Sequence, residues 1–219
     1  MHRFRLLCLV SALALAALAL GTARAEAAGG NYVFDGGTQY EQQQVRQALA
    51  ASSFNWSVVP GQVTVHITPL PTSEAVPGAI SLDPALLDSG EFSWGVVQHE
   101  YAHLVDFALF DDATHARLET ALGGTAWCYT DGLILQHNQY GCERFASTLA
   151  WAYWQSPDNC MKPSAVGGES AAMAPAAFRA LMASLFGSSV EGQAASGPQT
   201  VGYAPTVKAK FAPAKRSKR

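Results

Sequence analysis

The sequence predicts an α+β domain in which a small N-terminal sheet precedes several helices, and three observations carry that prediction. Val63-Thr64-Val65-His66-Ile67 alternates apolar and polar side chains, the period of a half-buried strand. From Phe92 to Phe110, Trp94, Val97, Tyr101, Leu104, Val105 and Ala108 recur at threes and fours, the period of a helix with one buried face. No glycine-rich loop follows a strand and no Gly-x-Ser-x-Gly elbow occurs, so nucleotide binding and serine hydrolysis lack support.

With 219 residues, 49% of them hydrophobic and 14% charged, the chain has room for one domain with a real core plus tails. The net charge of -3 hides a segregation. All 17 acidic residues lie between Glu26 and Glu191, whereas the chain beyond carries Lys208, Lys210, Lys215, Arg216, Lys218 and Arg219. An acidic core is a poor nucleic-acid partner, and the basic end suits at most a weak contact with an anionic surface.

In chain order, His2, Arg3 and Arg5 lead into the apolar stretch Leu6 to Leu20, and Ala23-Arg24-Ala25 offers a small-x-small cleavage pattern. Residues 1–25 therefore read as a signal peptide cut after Ala25, and the protein as secreted. The mature chain keeps Cys128, Cys142 and Cys160. Export favours a disulfide, and an odd count leaves one thiol over. A Cys128–Cys142 bridge would fix the loop leading to Glu143, although spacing alone does not choose the pair.

Thr38 and Glu41 form a capping box ahead of a glutamine-rich helix that ends near Ser53, with Val45, Leu49 and Phe54 as buried contacts. Trp56 to Val59 and Val63 to Ile67, separated by Pro60-Gly61, read as a hairpin. His66 falls on the polar face of its strand, as a solvated histidine. Residues 69–78 read as a proline-rich loop, Ala79 to Leu82 as a short strand, and Asp83-Pro84 as a helix start. Thr114 to Leu122 is a helix closed by Gly123-Gly124. Glu143 to Trp154 and Pro175 to Phe186 complete the helices. The folded domain is thus placed at 26–187, and residues 188–219, low in large apolar side chains, read as a disordered basic tail.

His99-Glu100-Tyr101-Ala102-His103 sits inside the strongest predicted helix. At 3.6 residues per turn the two histidines project from one face on neighbouring turns, where both imidazoles can reach one zinc ion. Glu100 flanks that position and can take a proton from water. A catalytic site needs a third ligand. Leu109 stands where an extended motif would place a third histidine. Asp106 lies one turn past His103 and is better suited to accept that ring's other proton. Glu143 opens an otherwise apolar helix of Phe145, Ala146, Leu149, Ala150 and Trp151, so as a buried acid it needs a partner. A metal satisfies that need; so would the helix N-terminus, or Arg144 or Arg117.

His-Glu-Tyr-Ala-His-Leu-Val-Asp-Phe, followed about forty residues later by Glu-Arg-Phe-Ala, resembles the gluzincin metallopeptidases. It is most similar to the branch holding the anthrax lethal factor catalytic domain and the Mlc-titration-factor peptidases. The resemblance covers residues 92 to 155. It implies a zincin-like fold, a Zn2+ cofactor held by His99, His103 and Glu143, and Glu100 as general base. Relatives of the thermolysin type carry an aspartate four residues after the glutamate to support a histidine; here that position is Ser147, and the job is expected to pass to Asp106. Such enzymes add a tyrosine or histidine that donates to the oxyanion. Tyr140 is placed first in that role, with His137 and Tyr129 behind it. The expected function is a monomeric secreted zinc peptidase acting on a peptide or protein substrate. The alternative is a catalytically inactive zinc-binding module outside the cell.

Overall fold

In the computed structural model, which describes residues 30–128, 133–164 and 168–192, a four-stranded sheet is followed by helices. β1 (Tyr32–Gly36) runs parallel to β2 (Val63–Ile67), β2 runs parallel to β4 (Ala79–Leu82), and β3 (Glu74–Val76) pairs antiparallel with β4 at the edge. The sheet order β1-β2-β4-β3 makes β2 an interior strand. Its alternation sets the faces: Val63, Val65 and Ile67 are buried, as are Ile80 and Leu82 of β4. His66 points the other way, partly exposed, with Nδ1 2.9 Å from the Asp35 carboxylate on β1.

Two parallel strands need a crossover, and α1 (Gln39–Ala51) supplies it between β1 and β2. The expected capping box starts it. The Thr38 hydroxyl accepts from Glu41 N–H at 3.3 Å, and the Glu41 carboxylate accepts from Thr38 N–H at 2.6 Å. Val45, Ala48 and Leu49 then bury one face of the helix.

The expected hairpin of Trp56–Val59 with Val63–Ile67 is not formed. Trp56–Val58 is a 3-10 turn, because the Asn55 side chain accepts from Ser57 N–H and draws the chain into a turn. The fully buried Trp56 indole donates to Leu49 O at 3.1 Å. The apolar residues that imitate a strand are there to plug the end of α1, and β2 finds its partners in β1 and β4. The loop expected at 69–78 contains β3, whose three residues are too few to show a period. Gly78, at φ 82, occupies the second position of the two-residue β3–β4 turn, a left-handed conformation that suits glycine.

α2 (Pro84–Leu87) begins with proline in its first turn, although the Asp83 side chain makes no capping bond. α3 (Trp94–Leu109) is entered through a 3-10 turn at Gly90–Ser93. α4 (Asp112–Leu122) starts where Asp111 accepts from Thr114 N–H at 2.8 Å and ends on left-handed Gly123, φ 76. α5 (Gly141–Tyr153) and α6 (Pro175–Phe186) follow. α3 is the central helix. Gln98 donates to Ala48 O at 2.7 Å and Trp94 to Gln44 at 2.8 Å, which ties it to α1, while its other side packs along α5.

The packed chain runs five residues beyond the expected limit at Gly187. Gly187–Val190 is a 3-10 turn with Val190 fully buried; Val190 O accepts from Asn55 N–H at 3.0 Å, and Gly192 N–H donates to Ser53 O at 2.8 Å. One anchoring valine in a polar stretch does not register in average composition. The expected signal peptide and the basic residues from Lys208 on lie outside the described residues. Among the described residues no helix is long and apolar enough to cross a membrane.

Val190→Ala is expected to lower stability by about 2 kcal/mol through lost burial and the cavity left behind. Urea unfolding followed by tryptophan fluorescence measures it. Unchanged stability would mean that the segment adds no packing.

Candidate metal centre

The fold buries a set of side chains that its core does not need. Tyr101, Leu104 and Val105 of α3 join the core, and successive turns on another face carry His99 and His103, 5% and 7% exposed. Their Nε2 atoms lie 3.2 Å apart. Glu143 of α5, 4% exposed, places Oε2 3.1 Å from His99 Nε2 and 3.4 Å from His103 Nε2. Donors at roughly 2.0–2.1 Å from a tetrahedral ion stand about 3.3 Å from one another, so the three separations match the edges of such a site. The chemistry agrees. Two imidazole nitrogens and a carboxylate converge on one point, and without a cation or a proton among them their lone pairs would repel. His99, His103 and Glu143 thus form a buried group able to hold a metal ion.

The start of α5 is strapped in place, and that sets Glu143. Gly141 N–H donates to Ala126 O at 2.8 Å and Cys142 N–H to Trp127 O at 2.7 Å, so the first turn of the helix is satisfied by an adjacent extended segment. A side chain at Gly124 would run into Gly141, so only glycine permits this approach. Cys128 and Cys142 form the disulfide favoured from sequence, with Cα atoms 5.4 Å apart, and among the described residues Cys160 is the free thiol. The arginines weighed as partners for Glu143 are engaged elsewhere. Arg144 donates to Leu122 O and Asn138 O, and Arg117 donates to Ser184.

Around the triad the structure departs from expectation. Asp106 does not orient His103: its carboxylate accepts from Trp127 Nε1 at 3.0 Å and lies 2.7 Å from His115 Nε2. Ser147 keeps the supporting position itself, with Oγ 3.1 Å from His99 Nδ1. Behind it stands Glu169, which accepts from the Ser147 hydroxyl at 2.9 Å. Glu169 carries no signal in the sequence, being a lone acid between a glycine and a serine. Tyr140, expected to face an oxyanion, is buried; its hydroxyl donates to Leu133 O at 3.1 Å and accepts from Leu135 N–H at 3.3 Å. It holds the loop, because a phenol so engaged has its proton committed. Tyr129 lies outside the described residues. His137, the runner-up, is at the site: Nε2 is 3.0 Å from Glu143 Oε2, Nδ1 is 2.6 Å from Glu169 Oε1, and the side chain is 55% exposed.

The electrostatics follow from this crowding. Burial pushes the Glu100 carboxyl up, and the neighbouring imidazoles only partly offset it. Burial opposes charge on Glu143 as well, but hydrogen bonds from His103, His137 and His99 outweigh it and hold the carboxyl well below the usual range. For His103, burial opposes the charge, but the Glu143 hydrogen bond and the charges of Glu143, Glu100 and Asp106 together outweigh it, so its pKa is raised. The Glu143 and Glu169 carboxylates push His137 up to about 10.

A cavity of about 460 Å³ is lined in part by His137, Ser147, Met161, Lys162 and Glu169, and by none of the three donors themselves. Another, of about 500 Å³ between Phe92 and Cys160, touches none of the three. The chain matches no protein-family model, no curated protein and no solved structure.

The full chain is expected to bind one equivalent of a divalent metal, and His103→Ala to weaken that binding more than about 100-fold, beyond the cost of losing a supporting group. Competition against a chromophoric chelator measures both. Equal affinity in the variant would place the ion elsewhere.

Proposed function

We propose that this chain is a secreted zinc peptidase of the gluzincin type with a zincin-like domain, acting on peptides or proteins. The observation that carries the reading is the convergence of His99, His103 and Glu143 at tetrahedral separations, with Glu100 buried beside them. Two imidazoles and one carboxylate are the donor set of catalytic zinc, which leaves one position open. The disulfide fits an oxidising compartment. β3 has no strand neighbour on its outer edge among the described residues, and an extended peptide can add there through backbone hydrogen bonds.

When bound, zinc supplies a Lewis acid that polarises the scissile carbonyl and brings the pKa of a water towards about 7. The residues of the chain do the rest. Glu100 takes the proton that the attacking water loses and gives it to the departing amine nitrogen. Its raised pKa, caused by burial, brings it closer to neutrality and suits it to both steps. His137 takes over the role expected of Tyr140: it is held by Glu169 at Nδ1, and its Nε2–H, which Glu143 accepts here, passes to an oxygen that gains charge once the Glu143 carboxylate is turned to a metal.

Glu100→Gln is expected to retain the metal and lose at least about 10²-fold in kcat on a quenched fluorescent peptide library. Full activity in that variant removes Glu100 as the base. Metal at one equivalent in the parent chain with no turnover across the library would favour the inactive binding module instead. His137→Gln is expected to lower kcat by about 10²–10³-fold with little change in KM. An unaltered kcat would take the oxyanion role away from His137.

A further inference from the structure

We infer that Glu169 is the positioning residue of the metal centre, orienting His99 through the Ser147 hydroxyl and His137 through its own second oxygen. The inference rests on the reading of His99, His103 and Glu143 as metal ligands.

The direction of each hydrogen bond follows from what each group can do. An ionised carboxylate only accepts, and a serine hydroxyl has one proton to give. Ser147 gives that proton to Glu169 Oε2 at 2.9 Å. Its oxygen must therefore accept from His99 across 3.1 Å, which requires the proton of His99 to sit on Nδ1. When a metal takes the place of the Nε2 proton that Glu143 accepts here, Nε2 is left with a lone pair aimed at His103 and Glu143, the form a metal ligand needs. Without the carboxylate, the Ser147 hydroxyl is free to turn and donate to Nδ1. That favours the opposite tautomer and points an N–H into the metal position.

The geometry holds this chain in place. His99, 5% exposed, and Ser147, 1% exposed, are both buried, so bulk water does not substitute for the hydroxyl. Glu169 O also accepts from the Thr148 hydroxyl at 3.2 Å, which pins the Glu169–Ala171 turn to α5 beside Ser147. Burial opposes charge on Glu169, but the hydrogen bonds from His137 and Ser147 and the charge on His137 together outweigh it and keep the carboxyl below its ordinary range, so it is an acceptor at neutral pH. One acid thus sets a ligand on one side and a histidine at the mouth of the site on the other. A glutamine there has a single acceptor oxygen for two donors and must turn its amide hydrogens on one of them.

Metal affinity in a double-mutant cycle tests the inference. Zinc dissociation constants are measured on the full chain for the parent, Glu169→Gln, Ser147→Ala and the double variant, with Glu169→Ala as a second acid variant. Thermal unfolding of each metal-free protein identifies the folded ones. Each single substitution is expected to weaken zinc about 10–100-fold, and the double no more than about 3-fold beyond the worse single, because both act through His99. Unchanged affinity in the Glu169 variants, or losses that add in the double, would overturn the inference. A parent chain that binds no zinc would instead overturn the reading of the triad.

Discussion

Three electron-rich donors held within 3.4 Å of one another inside a protein are costly unless something positive lies among them, and the rest of the structure is arranged so that they cannot separate. Two of the donors are one turn apart on α3, and the third comes from α5. The packing of these two helices is therefore the constraint on which the site depends. α3 is fixed from behind by Gln98 and Trp94 bonding to α1. α5 is fixed at its start by backbone bonds to Ala126 and Trp127 and by the Cys128–Cys142 bridge, one residue before Glu143. Rigid elements with locked supports are what a site needs if its donors are to stay at bonding separations.

Charge is distributed with the same economy. Glu143 stays ionised because imidazoles surround it, whereas Glu100, next to it in space, is pushed towards its neutral form by burial. Two carboxylates in one pocket thus have opposite environments, which separates the charged donor from the group that moves the proton. Asp106, one turn further along α3, takes its hydrogen bonds from Trp127 and His115 instead of from this group.

Much of the architecture was legible in the sequence because its signals are local. The capping box at Thr38, the glycine stop at Gly123, the proline start of α6 and the apolar stripe of α3 all act within a few residues, and each element appears where those signals put it. The histidine pair was legible for the same reason, since helical spacing alone puts both rings on one face. β3 was too short to show a period, and the other departures are long-range. Trp56 imitates a strand residue until its indole is seen to close α1, and Val190 looks like part of a tail until it is seen buried beside Asn55 and Phe54. Ser147 and Glu169 were opaque as a pair, because nothing in the sequence says that a hydroxyl on α5 and an acid in a later turn will meet behind His99. Spacing also put Asp106 on the face of His103, but it could not say that an indole from another segment would claim it.

Anomalous diffraction at the zinc edge, on crystals of the chain grown with the metal, tests the centre most directly. The expected result is one strong peak roughly 2.0–2.1 Å from His99 Nε2, His103 Nε2 and a Glu143 oxygen. A peak on other residues, or no peak with the three side chains still converging, would contradict it.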